Sequence, residues 1–178
     1  TDAGTYDMEL KASDFTNNSK NFSNVEFVIV DGTLTISKRP VTLTSADDEK
    51  VYDGTALTND EVSVGGEGFA TGEGATYDVT GTQTEVGSSA NAFSYILNEG
   101  TKADNYEITK VEGTLTVTEM TAKVTVTITE NSGSYMYDGA EHTASGYEVT
   151  NISNDLYKTG DFTFSGNDKV TGTDAGTY

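Results

Sequence analysis

Apolar and polar residues alternate with a period of two along most of this chain. Val124, Val126 and Ile128 alternate with Thr125, Thr127 and Thr129, which predicts a strand with one face buried and its Thr side chains toward water. Residues 33–37 and 114–118 read the same way, with Leu34 and Ile36, or Leu115 and Val117, facing inward. Asp31-Gly32 and Glu112-Gly113 each sit between two such runs and predict hairpin turns in which Gly supplies a positive φ. Asp53-Gly54 and Asp138-Gly139 predict another hairpin. The Gly-rich stretches 65–68 and 72–74 read as loops, and Ser13-Asp14-Phe15 as a single helical turn at most. No run of ten or more residues carries a helical apolar stripe. The expected class is all-β, built from small antiparallel β-domains.

The pattern repeats itself. Asn24-Val25-Glu26-Phe27 and Asp31-Gly32-Thr33-Leu34-Thr35-Ile36-Ser37 return as Asn105-Tyr106-Glu107-Ile108 and Glu112-Gly113-Thr114-Leu115-Thr116-Val117-Thr118, both displaced by the same distance along the chain. Val51-Tyr52-Asp53-Gly54 returns as Met136-Tyr137-Asp138-Gly139 at nearly that displacement. Two separate blocks with nearly one period define a repeating unit of roughly 80–90 residues. Each unit opens on a Thr/Val strand, Val41-Thr42-Leu43-Thr44 or residues 124–129, and closes on a Gly-Thr-Leu-Thr-type strand. Residues 41–119 therefore read as one complete domain, 1–39 as the back half of another and 122–178 as a front half. Lys38-Arg39-Pro40 and Glu119-Met120-Thr121 are short junctions that predict close neighbours rather than a loose tether. The complete unit is expected to hold Leu43, Val51, Tyr52, Ile96, Tyr106, Ile108, Leu115 and Val117 in its core.

Composition narrows the partners. Of 178 residues only 34% are hydrophobic, 30 are Thr, and 29 acidic residues outweigh 10 basic ones, for a net charge of −19. Such a chain repels nucleic-acid backbones and anionic membranes. The charge alone suggests disorder, but ten Tyr and seven Phe supply enough apolar area for small cores. No apolar run approaches the roughly 20 residues that span a bilayer, and no leader pattern reads at the N-terminus. Without cysteine there are no disulfides, thiolate-held zinc or cysteine nucleophiles.

The Tyr-Asp-Gly block, the Asn-Tyr-Glu-Ile strand and the closing Gly-Thr-Leu-Thr-Val-Thr strand together resemble the YDG/MBG-type tandem repeats of bacterial cell-surface adhesins. The resemblance runs from Lys38 to Thr118. It also takes in Tyr137-Asp138-Gly139-Ala140-Glu141-His142-Thr143, residues 1–6, and Asn21-Phe22-Ser23-Asn24-Val25. It implies β-grasp-like or immunoglobulin-like domains, set end to end as a rod in an exported or wall-attached protein of Gram-positive type. It brings no catalytic residues.

Candidate chemistry is sparse. Tyr52 and Tyr137 could offer sugar contacts, but they read better as side chains anchoring an Asp-Gly turn to the core. Asp47-Asp48-Glu49, Asp2 and Asp174 raise calcium, yet no Asp-x-Asp-x-Asp-Gly loop appears and solvated charge is the simpler reading. His142, the single histidine, lacks companions for a zinc site or a triad. Lys123 could enter an amide cross-link, and Gln83 beside Thr82 and Thr84 an ester; neither carries a signature. Asn17, Asn21 and Asn151 lie in glycosylation sequons relevant only to a eukaryotic secretory route. Catalytic, cofactor-binding and metal sites are all expected to be none, and the chain is not expected to be an enzyme.

The expected function is a structural spacer in a surface stalk, with a glycan- or mucin-binding module as the alternative. Residues 1–6 are identical to residues 173–178, two units further on, which implies a repeating two-domain cassette. Joining 122–178 to 7–40 rebuilds one whole unit. An intact domain about 30 Å long separates the halves if its strands run roughly 8–10 residues. The halves are therefore expected to pair between neighbouring copies, head to tail, with Val124, Val126 and Ile128 sharing a core with Leu34 and Ile36 of the neighbour.

Overall fold

The computed structural model describes all residues, 1–178, and its regular structure is β: fourteen strands, with three single-turn 3-10 helices. The chain divides into two compact units, Thr1–Thr118 and Glu119–Tyr178. The first contains β1 (Gly4–Asp7), β2 (Thr33–Ile36), β3 (Arg39–Ser45), β4 (Asp48–Val51), β5 (Val62–Gly66), β6 (Ala75–Val79), β7 (Gly87–Asn91), β8 (Phe93–Leu97), β9 (Tyr106–Val111) and β10 (Gly113–Thr118). The second contains β11 (Val126–Glu130), β12 (His142–Ser145), β13 (Tyr147–Ile152) and β14 (Lys169–Gly172).

In the first unit, residues 39–118 build three small sheets, ordered β5-β3-β9, β4-β10-β7 and β6-β8, while β1 and β2 make a separate two-stranded ribbon. The pairings are not all antiparallel as the pattern predicted. β3 runs parallel to β9, and β4 parallel to β10. The chain leaves the first sheet after β3 and again after β9, so β3→β4 and β9→β10 are matching passages into the second sheet. Glu112-Gly113 is therefore a sheet crossing, not a hairpin turn. Gly113 has an ordinary negative φ and lies buried at the start of β10. A Cβ there would fall 2.4 Å from the Ala46 carbonyl oxygen and 2.5 Å from that of Ser45. Close approach of two backbones, not φ, selects glycine at this point.

A buried polar node holds the crossing. Ser45 Oγ donates to the Asn91 carbonyl at 2.6 Å and accepts from Gly113 N at 3.0 Å. Asn91 Nδ2 donates to the carbonyls of Ala46 (3.0 Å) and Asn59 (2.9 Å). These bonds satisfy backbone groups that no ladder reaches where strands change sheets.

The core comes in two pieces. Val41, Leu43, Phe93 and Tyr106 form one, with Val62, Phe69, Tyr77, Val79, Tyr95 and Ile108 packed against it. Leu57, Leu115 and Val117 form the other, backed by Tyr52. Tyr106 is buried edge-on to Phe69, its hydroxyl accepting from Ala70 N at 3.0 Å and donating to the Glu73 carboxylate. Burial, then the hydrogen bond donated to Glu73, pushes this phenol above its ordinary value. Six of the eight expected core residues pack here. Val51 and Ile96 do not, being 54% and 78% exposed. The reason is strand parity: in β8 the inward positions are Phe93, Tyr95 and Leu97, which forces Ile96 outward. In β4 the inward positions are Asp48 and Lys50, and Tyr52 rather than Val51 faces the core. Val41, Leu57 and Phe93 are the buried hydrophobic residues missing from the expected core.

Every buried residue lies between Val41 and Val117; residues 1–40 and 118–178 contain none. The strand expected over residues 24–30 is absent, so Asp31-Gly32 is not a hairpin turn either, and Gly32 has no positive φ. Instead β1, far upstream, pairs with β2. Lys38-Arg39-Pro40 is not a linker, since Arg39 and Pro40 open β3. Gly65 and Gly66 end β5 rather than lying in a loop. The helical turn expected near Ser13 is present as Ala12–Asp14.

Three pairings recur one unit along the chain with their registers kept. β1 on β2 pairs Gly4 with Ile36 and Tyr6 with Leu34; β7 on β10 pairs Gly87 with Val117 and Ser89 with Leu115. The two ladders correspond pair for pair, Gly4 standing for Gly87 and Ile36 for Val117. β11 on β13 pairs Ile128 with Val149 and Glu130 with Tyr147. That is the register of β3 on β5, Leu43 with Val64 and Ser45 with Val62, moved one unit along the chain as far as a bulge at Thr127/Ile128. His142 pairs with Gly172 as Leu57 pairs with Gln83.

Candidate interaction surface

The Asp-Gly turns are built alike in both units. Gly54 and Gly139 take φ of 78° and 80°, the left-handed conformation that glycine reaches without strain. Asp53 Oδ1 accepts from Lys50 Nζ (2.7 Å), Thr55 Oγ1 (2.7 Å) and Thr55 N (2.9 Å). Asp138 Oδ1 accepts from Ala140 N and contacts His142 Nε2, both at 2.9 Å. In each, the carboxylate bonds the amide two residues on, the Asx arrangement that fixes such turns. Yet neither turn joins two strands paired with each other. Tyr52 packs on the core as expected, whereas Tyr137 is 65% exposed and anchors nothing.

The Lys50 ammonium, then the Thr55 bonds, hold the Asp53 carboxyl far below its ordinary value of 3.8. The Ala140 amide and then His142 lower Asp138. A carboxyl lowered in the folded state contributes stability above its unfolded value, and loses it as pH falls through the lower folded value. The Asp53 turn is thus expected to keep its geometry as pH drops through 4. Following the Asp53 side-chain carbon by NMR should give a midpoint well under 3.8, and an ordinary midpoint would show that the Lys50 contact does not hold in solution.

The other candidates serve local structure. Asp47 Oδ1 accepts from Thr114 N of β10 at 2.6 Å, whereas Asp48 accepts from Glu49 N and Asn59 Nδ2, so the two carboxylates serve separate local bonds. No group of three acidic or histidine side chains is close enough to hold a metal ion. Asp2 accepts from Lys102 Nζ (2.8 Å) and Asn105 Nδ2 (3.1 Å), and both partners lower its carboxyl. With the Ala3 N to Asn105 Oδ1 bond, these contacts tie the β1–β2 ribbon to the loop before β9. Asp174 instead closes a small loop: its carbonyl accepts from the Tyr178 hydroxyl at 2.8 Å, as the Asp2 carbonyl accepts from Tyr6 at 2.7 Å. His142 stacks on Tyr135 with ring centroids 4.3 Å apart. Gln83 Nε2 donates to the Glu85 carbonyl at 2.7 Å. Asn17 bonds within its loop to the Phe22 carbonyl, and Asn151 lies in β13.

What remains is apolar surface and unpaired backbone. Val28 and Val30 are 76% and 91% exposed, Met136 is 89% exposed, and Leu34, Ile128 and Tyr135 are all open to solvent. Residues 133–136 and 25–30 are in no strand. In the second unit an open depression of about 600 Å³ is bounded by Tyr135, Met136, Tyr137, His142, Gly172 and Tyr178. Sequence reasoning did not single out Met136 or Tyr135, although their alignment with Val51 and Lys50 was legible in the Tyr-Asp-Gly repeat. Compared with models of known families, with curated proteins and with solved structures, the chain matches none of them.

Proposed function

We propose that this chain is a spacer segment of an extracellular stalk, in which small β-domains follow one another head to tail and hold a separate binding region away from a bacterial cell surface. The observation that carries the reading is the recurrence of one β-unit along the chain with its strand registers kept. A repeated unit with short connections suits a length-setting role, and the net charge of −19 keeps such an array extended through self-repulsion. The resemblance to YDG/MBG-type adhesin repeats points the same way. The second reading, a glycan- or mucin-binding module, draws on the stacked Tyr135–His142 pair at the rim of the 600 Å³ depression, since aromatic faces suit sugar rings. A glycan array probed with the 178-residue chain separates the two. The spacer reading expects no reproducible signal above an unrelated acidic protein. Dose-dependent binding to one glycan class, lost in Tyr135→Ala, would replace it with the second reading.

A further inference from the structure

The intact unit supplies a template for what the two halves lack. Its pairings fall into two sets. One set joins strands within the front part (β3 with β5, Leu57 with Gln83) or within the back part (β7 with β10), and all three recur in the halves with matching register. The other set joins front to back: β3 with β9 and β4 with β10, both parallel, and β6 with β8. None of these three recurs. The elements that would make them are the ones left without partners: one edge of β11, residues 133–136, residues 25–30, and the outer edge of β2.

Resting on the spacer reading, we propose that the front half of one copy is completed by strands of a second copy of this same sequence, in a register copied from the intact unit. In the repeat, Leu43 of β3 corresponds to Ile128, and Tyr106 of β9 to Val25. The β3–β9 register then places residues 25–30 of the second copy parallel to residues 124–129, Phe27 opposite Val126 and Ile29 opposite Ile128. The same correspondence applied to β4 and β10 places β2 of the second copy parallel to residues 133–136, with Leu34 opposite Gly133, Thr35 opposite Ser134 and Ile36 opposite Tyr135. The 600 Å³ depression is bounded by the counterparts of β4, Leu57 and Gln83, the elements that surround β10 in the intact unit. It is the seat of the incoming β2, whose Leu34 and Ile36 take the places of buried Leu115 and Val117. The exposed residues Val25, Val28, Val30 and Leu34 of the donor meet the exposed Ile128 and Met136 of the acceptor, and two unpaired edges close. The acceptor and the donor are different surfaces, so the contact is heterologous and can run on from copy to copy.

Because the chain has no cysteine, register can be read by disulfide formation. Full-length Thr35→Cys and Ser134→Cys variants, mixed and oxidised slowly, should give the mixed disulfide at least tenfold over either like pair. Paired strand neighbours lie within the roughly 4.4–6.8 Å that a disulfide needs. Thr33→Cys, two residues out of register and about 6.6 Å away along the strand, should cross-link to Ser134→Cys at least tenfold less. In the unmodified chain, sedimentation should show growth beyond a dimer with concentration, accompanied by slowed hydrogen exchange at residues 25–30. Shortening the chain to residues 1–172 should leave association intact or stronger, because residues 173–178 and 1–6 are identical and compete for one position. Equal yields from the two registers would overturn the proposal. So would association that leaves residues 25–30 exchanging freely, or loss of association on shortening, or a disulfide formed within one chain carrying both cysteines at high dilution. Each of these outcomes would leave the spacer reading standing, while glycan binding would remove that reading without touching the disulfide result.

Discussion

Gly113→Ala is expected to lower the stability of residues 39–118 by about 3 kcal/mol or more, the upper range for forcing atoms into a packed site. The new methyl would lie 2.4 Å and 2.5 Å from two carbonyl oxygens of the neighbouring passage, and backbone cannot rotate away as a side chain does. Any shift of β10 also disturbs the Ser45 Oγ bond to Gly113 N and the Asn91 bonds beside it. The control is Gly32→Ala, in the same Gly-Thr-Leu-Thr context. There the nearest atom to a new Cβ is Met8 Cε at 3.8 Å, an ordinary contact. In dilute protein this change should shift stability by less than about 0.5 kcal/mol. Guanidinium unfolding followed by tyrosine fluorescence and circular dichroism measures both. Equal effects would mean that the crossing at Glu112-Gly113 is not packed as described.

Leu115→Ala is expected to cost about 2–5 kcal/mol, the transfer loss of a fully buried leucine plus the cavity left between Leu57, Val117 and Tyr52. A domain of this size is held by about 4–12 kcal/mol at typical values per residue, so one substitution removes a large part of the whole. Ile96→Ala removes as large a side chain from the expected core list but should cost under about 0.5 kcal/mol, because Ile96 is on the solvent face of β8. The same denaturation experiment reads the contrast. Similar losses at the two positions would place Ile96 in a packed environment and overturn the parity assignment for β8.

Much of this protein was legible in its alternation and repetition. The period of two named the strands around Val41, Leu115 and Val126, since each side chain's face follows from its place in the pleat. The repeat period carried some registers over, β1 on β2 matching β7 on β10 and β11 on β13 matching β3 on β5, although parts of the repeated blocks themselves, residues 25–30 and 133–136, are in no strand. The Asp-Gly pairs at 53–54 and 138–139 were turns because glycine alone reaches that φ cheaply and aspartate bonds the amide two residues on. These are local properties, and a local pattern carries them.

Three features were decided only by the tertiary structure. The face of a strand is ambiguous when apolar residues occupy both parities, so Ile96 and Val51 could not be told from Phe93 and Tyr52 until neighbouring strands fixed which side was covered. Gly32 and Gly113 sit in nearly identical sequences, yet one is open and the other is wedged between carbonyls. The difference lies in a distant backbone passage, Ser45-Ala46, that only one of them meets. Residues 25–30 and 106–111 share a pattern as well, but a strand exists only where another supplies its hydrogen bonds. β9 has β3 beside it, whereas residues 25–30 have no partner strand. Pattern settles which residues can form a strand; which of them do depends on the pairing that long-range packing makes available.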